Sequence, residues 1–167
     1  IGYDTDGLMT DIPGLCLTIY YADCIPVLLY DPVKKAIAAV HSGWRGTSLG
    51  IAPQAVQKLA VRYGSDPHDI LVAIGPGIGP FETHDDVPTA MAERLGEGVQ
   101  PFCQPLPNGK FSVDLKGILR WELTQAGVPD ENIDTLPLCT ACHPELYWSH
   151  RKMGDRRGNH AAMIQLL

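Results

Sequence analysis

The chain has 167 residues, with 13 Lys and Arg against 19 Asp and Glu, for a net charge of −6. That acidic balance, with a pI near 5.4, excludes the basic footprint a nucleic-acid binder or an anionic-membrane binder needs. At 45% hydrophobic and 19% charged residues the composition excludes a disordered chain and predicts one globular domain over residues 1–167.

The apolar runs are too short to span a bilayer, and no charged-then-apolar leader opens the sequence. Five cysteines, an odd count in an acidic chain, read as reduced thiols and a cytoplasmic setting. The sequence begins at Ile1 without Met, which raises the expectation of a longer parent chain. It assigns no oligomeric state.

In chain order, residues 15–21 (LCLTIYY) and 25–30 (IPVLLY) predict two strands, the second ending at the turn pair Asp31-Pro32. Residues 36–41 (AIAAVH) are nearly continuously apolar, as in a strand buried on both faces. Gly43 to Gly46 then break the run. Ile51, Ala55, Val56, Leu59 and Ala60 recur at helical spacing, which predicts a helix over 48–63 with Gly64 as its stop. Residues 70–74 (ILVAI) form another buried strand and run into a glycine-rich turn.

A helix over 86–95 is predicted with Asp86 as its N-cap and Gly96 as its stop. A short strand at 111–113 leads to a helix from Asp114 to Gln125, with Leu115, Ile118, Leu119 and Leu123 on one face. Late strands are expected at 133–138, 147–150 and 161–167. Strands interleaved with helices predict an α/β or α+β layered domain.

The chemistry-bearing residues begin with Cys24, after one strand, and His41, at the end of the next but one. A thiol beside an imidazole suits a nucleophile–base dyad or, with one more ligand, an open zinc site. The plainer reading is a small buried thiol and a core histidine, and spacing alone favours it. His41-Ser42-Gly43-Trp44-Arg45-Gly46 adds an indole face for a planar ring and a guanidinium fork for phosphate or carboxylate. Packing and a surface ion pair explain Trp44 and Arg45 about equally well.

Gly75-Pro76-Gly77-Ile78-Gly79, placed between a strand and an expected helix, has the outline of an anion-binding turn. A tight turn in close backbone packing is favoured there, because the turn matches neither known phosphate-loop pattern. Cys139-Thr140-Ala141-Cys142 reads as a redox pair, half a zinc knuckle or, most simply, structural cysteines. The stretch Tyr147 to Lys152 brings His150 and Arg151 either to a pocket or to a solvated edge strand. No Gly-x-Ser-x-Gly elbow is present.

Three segments together carry a resemblance: Asp6 to Thr10 (DGLMT), Tyr21 to Val27 (YADCIPV) and Ala39 to Gly46 (AVHSGWRG). With the turn Ile74 to Pro80, Leu138 to Thr140 and Leu146 to Arg151, the sequence resembles the YfiH family, also called the laccase-domain or polyphenol oxidase family, over nearly its whole length. The resemblance implies an α/β/β/α domain with a mixed β-sandwich between helical layers, similar to cysteine hydrolases of the cytotoxic-necrotizing-factor type.

It implies a metal, usually zinc, held by two histidines and a cysteine, and the motif matches assign Cys24 and His41 to that set. The family's other histidine lies in a His-Gly motif that nothing here matches. The resemblance therefore places the third ligand upstream and implies a C-terminal portion of a family member. Family members often carry a cysteine pair after the Gly-Pro turn; here Phe81-Glu82-Thr83 follows directly.

The activity implied is phosphorolysis of purine nucleosides to base and ribose 1-phosphate, with methylthioadenosine cleavage and adenosine deamination associated. On that reading the partners are a purine nucleoside and phosphate. Cys24, His41 and Arg45 form the catalytic set. Arg45, Trp44, Gly75, Gly77 and Arg151 bind substrate and phosphate. The alternatives are copper-dependent polyphenol oxidation and a cysteine–histidine hydrolase or deamidase. Six histidines with no His-x-His pair supply few ligands for several copper centres, although cysteine and histidine accept copper as well as zinc.

Overall fold

The computed structural model describes residues 5–167; the chain start at Ile1, singled out above, lies outside them. Five strands form a mixed sheet in the order β1 (Gly7–Thr10), β4 (Ala36–Ser42), β3 (Ile25–Asp31), β5 (Leu71–Ile74) and β9 (Ile133–Thr135). Only β5 and β9 run parallel; the other pairs are antiparallel. The central β3 and β4 are the two most apolar runs, and both are buried nearly throughout. The hairpin joining them is set by Asp31, whose Oδ1 accepts from the N–H groups of Val33 and Lys34 at 2.8 and 2.9 Å, an Asx turn of the kind that Asp-Pro favours.

One face of this sheet carries α2 (Ile51–Tyr63) and α4 (Leu115–Gln125). Ala52, Ala55, Val56 and Leu59 of α2 are buried, the i, i+3, i+4, i+7 spacing of a core-facing stripe. Gly64 ends α2 at φ +73°, its N–H on the carbonyl of Ala60. Asp114 caps α4 by accepting from the N–H of Gly117 at 3.1 Å. Ile25, Val27 and Leu29 of β3 are fully buried against Leu59, Ile118 and Leu123, each contributing about 1.5–3 kcal/mol of burial.

The opposite face is covered by a two-stranded sheet of β2 (Cys16–Tyr21) and β10 (His160–Gln165). Leu17, Ile19 and Leu166 meet Ile37 and Ala39 there. The result is an α+β fold containing a β-sandwich. The outer face of the small sheet exposes Tyr20 and Met163. A third, small sheet joins β6 (Phe81–Thr83), β8 (Phe111–Val113) and β7 (Cys103–Pro105), next to α3 (Asp86–Leu95).

The structure corrects three expectations. The break after β4 is a short helix, α1 (Trp44–Ser48), held by Thr47 Oγ1 on the Gly43 carbonyl at 3.0 Å and on Ser42 Oγ at 2.9 Å. The cap position of α3 is Asp85, not Asp86, and its side chain makes no capping bond. Residues 147–150 form no strand: the ring of His160 accepts the N–H of Trp148 at 2.8 Å, and the chain turns into α5 (His150–Met153) with Ser149 as N-cap.

Candidate functional site

The β3–β4 register pairs Ile25 with Ser42 and Pro26 with His41. One further step sets Cys24 beside Gly43. A Cβ on Gly43 would stand 3.0 Å from Cys24 Sγ, so glycine is what lets the thiol lie against the start of α1. Cys24, Trp44, Ile78, Phe81, His150, Arg151 and Arg157 line a cleft of about 300 Å³. Four sequence-remote segments therefore meet at the mouth of the β3–β4 ladder.

Asp23 assembles them. It is buried, and its backbone takes a left-handed conformation, φ +77°. One carboxylate oxygen accepts from Thr140 Oγ1 at 2.7 Å. The other accepts from Ser149 Oγ at 3.0 Å and from the N–H of Arg151 at 2.7 Å. Its carbonyl accepts the N–H of Ile78 at 2.8 Å. Asp23 thereby fixes the first turn of α5, and with it His150 and Arg151. The Arg151 guanidinium stands 5.3 Å from the centre of the Phe81 ring, within cation–π range. Arg157 donates from Nε to His150 Nδ1 at 3.3 Å.

His41 lies on the ladder but does not line the cleft. Its Nδ1 meets Asp6 Oδ1 at 3.0 Å. No hydrogen bond joins His41 to Cys24 among the described residues. The two are linked through Asp6: burial first, then the charges of Asp23 and Asp6, push the Cys24 thiol above its ordinary value, with Arg157 pulling it back. A protonated thiol without a bonded base is a poor nucleophile.

The same two residues suit a metal better. A ligating histidine ordinarily donates its other ring nitrogen to a carboxylate, as His41 does to Asp6, and a cation would favour the thiolate that burial and the nearby carboxylates disfavour. No group of three His, Cys, Asp or Glu residues placed to hold an ion occurs among the described residues; Cys24 and His41 offer two donors.

The remaining sequence candidates fall into two groups. Trp44 and Arg151 line the cleft; Arg45 is exposed, with its guanidinium 4.2 Å from the centre of the Trp44 ring. Gly75 and Gly77 are packing glycines in this arrangement. Cβ atoms there would lie 2.7 Å from Pro26 Cγ and 2.4 Å from Ile25 Cδ1, and the N–H of Gly75 is spent on the Pro26 carbonyl. The turn leads into β6 and not into a helix, so the strand–turn–helix outline of an anion site does not form.

Sequence reasoning missed Asp23 as an organiser, along with Thr140, Ser149 and Arg157. The only signal was that Asp23 sits inside the motif that contains Cys24.

A family model described as multi-copper polyphenol oxidoreductase laccase matches residues 2–167. The mouse purine nucleoside phosphorylase LACC1 is 36% identical over 96% of this chain and 38% of its own length. Purine nucleoside phosphorylase YlmD of Geobacillus stearothermophilus is 38% identical over 95% of this chain and 59% of its own length. The crystal structure of the hypothetical protein YfiH from Bacillus licheniformis superposes with a TM-score of 0.94 at 37% identity, covering 98% of this chain and 62% of that one. The chain thus spans less than two thirds of the length of each of these relatives. With the family model matching residues 2–167 and the fold shared with a solved YfiH protein at a TM-score of 0.94, the chain belongs to the multi-copper polyphenol oxidoreductase laccase family, the laccase-domain or YfiH family.

Proposed function

We propose that the cleft beside Cys24 is the nucleoside and phosphate site of a purine nucleoside phosphorylase. The observation that carries this reading is the convergence of two aromatic side chains and two guanidiniums, Trp44 and Phe81 with Arg151 and Arg157, in a hollow of about 300 Å³. Flat apolar rings suit a purine, and arginine forks suit phosphate. The names of the mouse and bacterial relatives support the same reaction.

In that reaction a phosphate oxygen attacks C1′ of the ribose while the bond from C1′ to the base nitrogen breaks. The base leaves with the electron pair and takes up a proton. Arg151 and Arg157 hold and orient the phosphate, and Trp44 and Phe81 flank the base. Arg45, stacked on Trp44 at the rim, adds positive charge on the approach. Gly75 and Gly77 contribute by letting their turn lie close against the start of β3. Cys24 and His41 are the residues that would hold zinc, or copper in its place, and a bound ion supplies positive charge beside the cleft. Asp6 orients the His41 ring, and the five free cysteines fit a reducing, cytoplasmic setting.

Chromatography of inosine and adenosine incubated with zinc-loaded protein, with and without phosphate, tests the reading. Free base that forms only with phosphate is the expected result. Base released equally without phosphate, or inosine from adenosine as the sole product, would replace phosphorolysis by hydrolysis or deamination.

A further inference from the structure

The motif Cys139-Thr140-Ala141-Cys142 has no part in the chemistry above, yet it touches the clamp that builds the cleft. The N–H of Cys142 bonds to the Cys139 carbonyl at 3.2 Å and closes a four-residue turn. Such a turn keeps its end Cα atoms within about 7 Å, close to the span a disulfide requires. Cys139 is half-buried and Cys142 exposed, and both are free thiols.

Burial alone would push the Cys139 thiol up. The polar groups turned toward its sulfur, the Cys142 thiol and the backbone of Gly79, Cys142 and Ala141, outweigh it and hold Cys139 below its ordinary value. Lys116 adds a nearby cation, anchored by its Nζ on the carbonyls of Leu136 and Leu138 at 2.8 and 2.7 Å. Gly79 is the close neighbour that makes the pocket for sulfur: a Cβ there would lie 3.3 Å from Cys139 Sγ. A thiolate-leaning cysteine beside an exposed partner is the arrangement of a peroxide-sensitive pair with its resolving thiol.

We propose that Cys139 and Cys142 are a redox modification site that closes into a reversible disulfide on reaction with hydrogen peroxide. The Cys139 thiolate attacks one peroxide oxygen, the O–O bond breaks, and Cys139 becomes a sulfenic acid while hydroxide leaves and is protonated to water. Cys142 sulfur then attacks the sulfenic sulfur, the S–O bond breaks, and the oxygen leaves as a second water. Two thiols lose two protons and two electrons, and the peroxide is reduced to two waters; a dithiol reverses the change. Thr140, between the two cysteines, is fully buried and donates to Asp23. Closing the bridge therefore acts on the turn that holds the cleft's organising carboxylate.

The test reads sulfur directly and needs no turnover, so it stands apart from the proposed activity. The chain is treated with hydrogen peroxide at equal molarity, its remaining thiols are alkylated, and tryptic peptides are weighed. Cys139 and Cys142 share the tryptic peptide 121–151, which contains no other cysteine. The expected result is loss of both alkyl groups and of two hydrogens from that peptide, restored by dithiothreitol, while the exposed Cys16 still alkylates. In Cys142→Ser the bridge is lost, and Cys139 is instead trapped by a sulfenic-acid reagent. Full alkylation of both cysteines after peroxide, or a gain of oxygen on the wild-type peptide without a bridge, would overturn the proposal.

Discussion

Two buried carboxyl groups, one at the cleft and one in the helical layer, behave oppositely. The Asp23 carboxyl group accepts three bonds from two other segments, the Thr140 turn and the start of α5, and each of them serves assembly. Glu122, on α4, is 3% exposed, with no hydrogen-bond partner on either oxygen among the described residues. Its neighbour is the turn between α1 and α2, where a Cβ on Gly50 would stand 3.6 Å from Oε1. Burial alone pushes its pKa to about 8. The contrast separates burial from strain: a buried carboxylate organises a site when donors are delivered to it, and titrates as an isolated acid when they are not.

The comparison is broken most severely at Asp23. Asp23→Ala leaves two hydroxyls and one N–H without their acceptor and places alanine at a left-handed φ. The expected loss of stability is about 4 kcal/mol or more, at roughly 1–3 kcal/mol for each of the three orphaned buried donors and about 1 kcal/mol for the backbone. Urea unfolding measures it, and Asp23→Asn, which tolerates that φ and keeps one acceptor, should lose clearly less. Equal losses in the two variants would mean the hydrogen bonds are not what matters.

The helical-layer counterpart should move the other way. The folded chain keeps a proton on Glu122 that the unfolded chain releases above the ordinary value of 4.5. Its favourable contribution is therefore complete below pH 4.5, erodes as pH rises, and is gone above about 8. Glu122→Gln removes that slope, and above pH 8 the variant should exceed wild type by about 1–3 kcal/mol. Parallel stability–pH curves for the two proteins would show that water or a local rearrangement solvates the carboxylate.

A smaller change sharpens the clamp itself. Thr140→Val keeps the shape and removes one of Asp23's three side-chain bonds, for a loss of about 1 kcal/mol in the same unfolding assay. A loss as large as that of Asp23→Ala would make the Cys139–Cys142 turn, and not the carboxylate, the organising element.

How much of this was readable in the sequence follows from the range of each interaction. The strands β3 and β4 announced themselves because burial on both faces demands unbroken apolar runs, and α2 because its stripe repeats locally. The short strands β6 and β7 have three residues each and carry too few side chains to show a period. Residues 147–150 alternate like a strand, yet the N–H of Trp148 goes to the His160 ring and no ladder forms. Trp44 and Cys24 were legible as candidates because their motif is compact. The Asp23 clamp joins residues 117 to 128 positions apart, and nothing in one sequence pairs an aspartate with a threonine and a serine at that distance.

The proposed site places phosphate on the Arg151 side of the cleft, and its most direct test is the dependence of inosine cleavage on phosphate concentration in wild type and in Arg151→Ala. A charge-assisted hydrogen bond of about 1.5–3 kcal/mol predicts a phosphate KM raised roughly 10-fold or more, with the KM for inosine nearly unchanged. An unchanged phosphate KM in the variant would contradict the assignment of this cleft to phosphate.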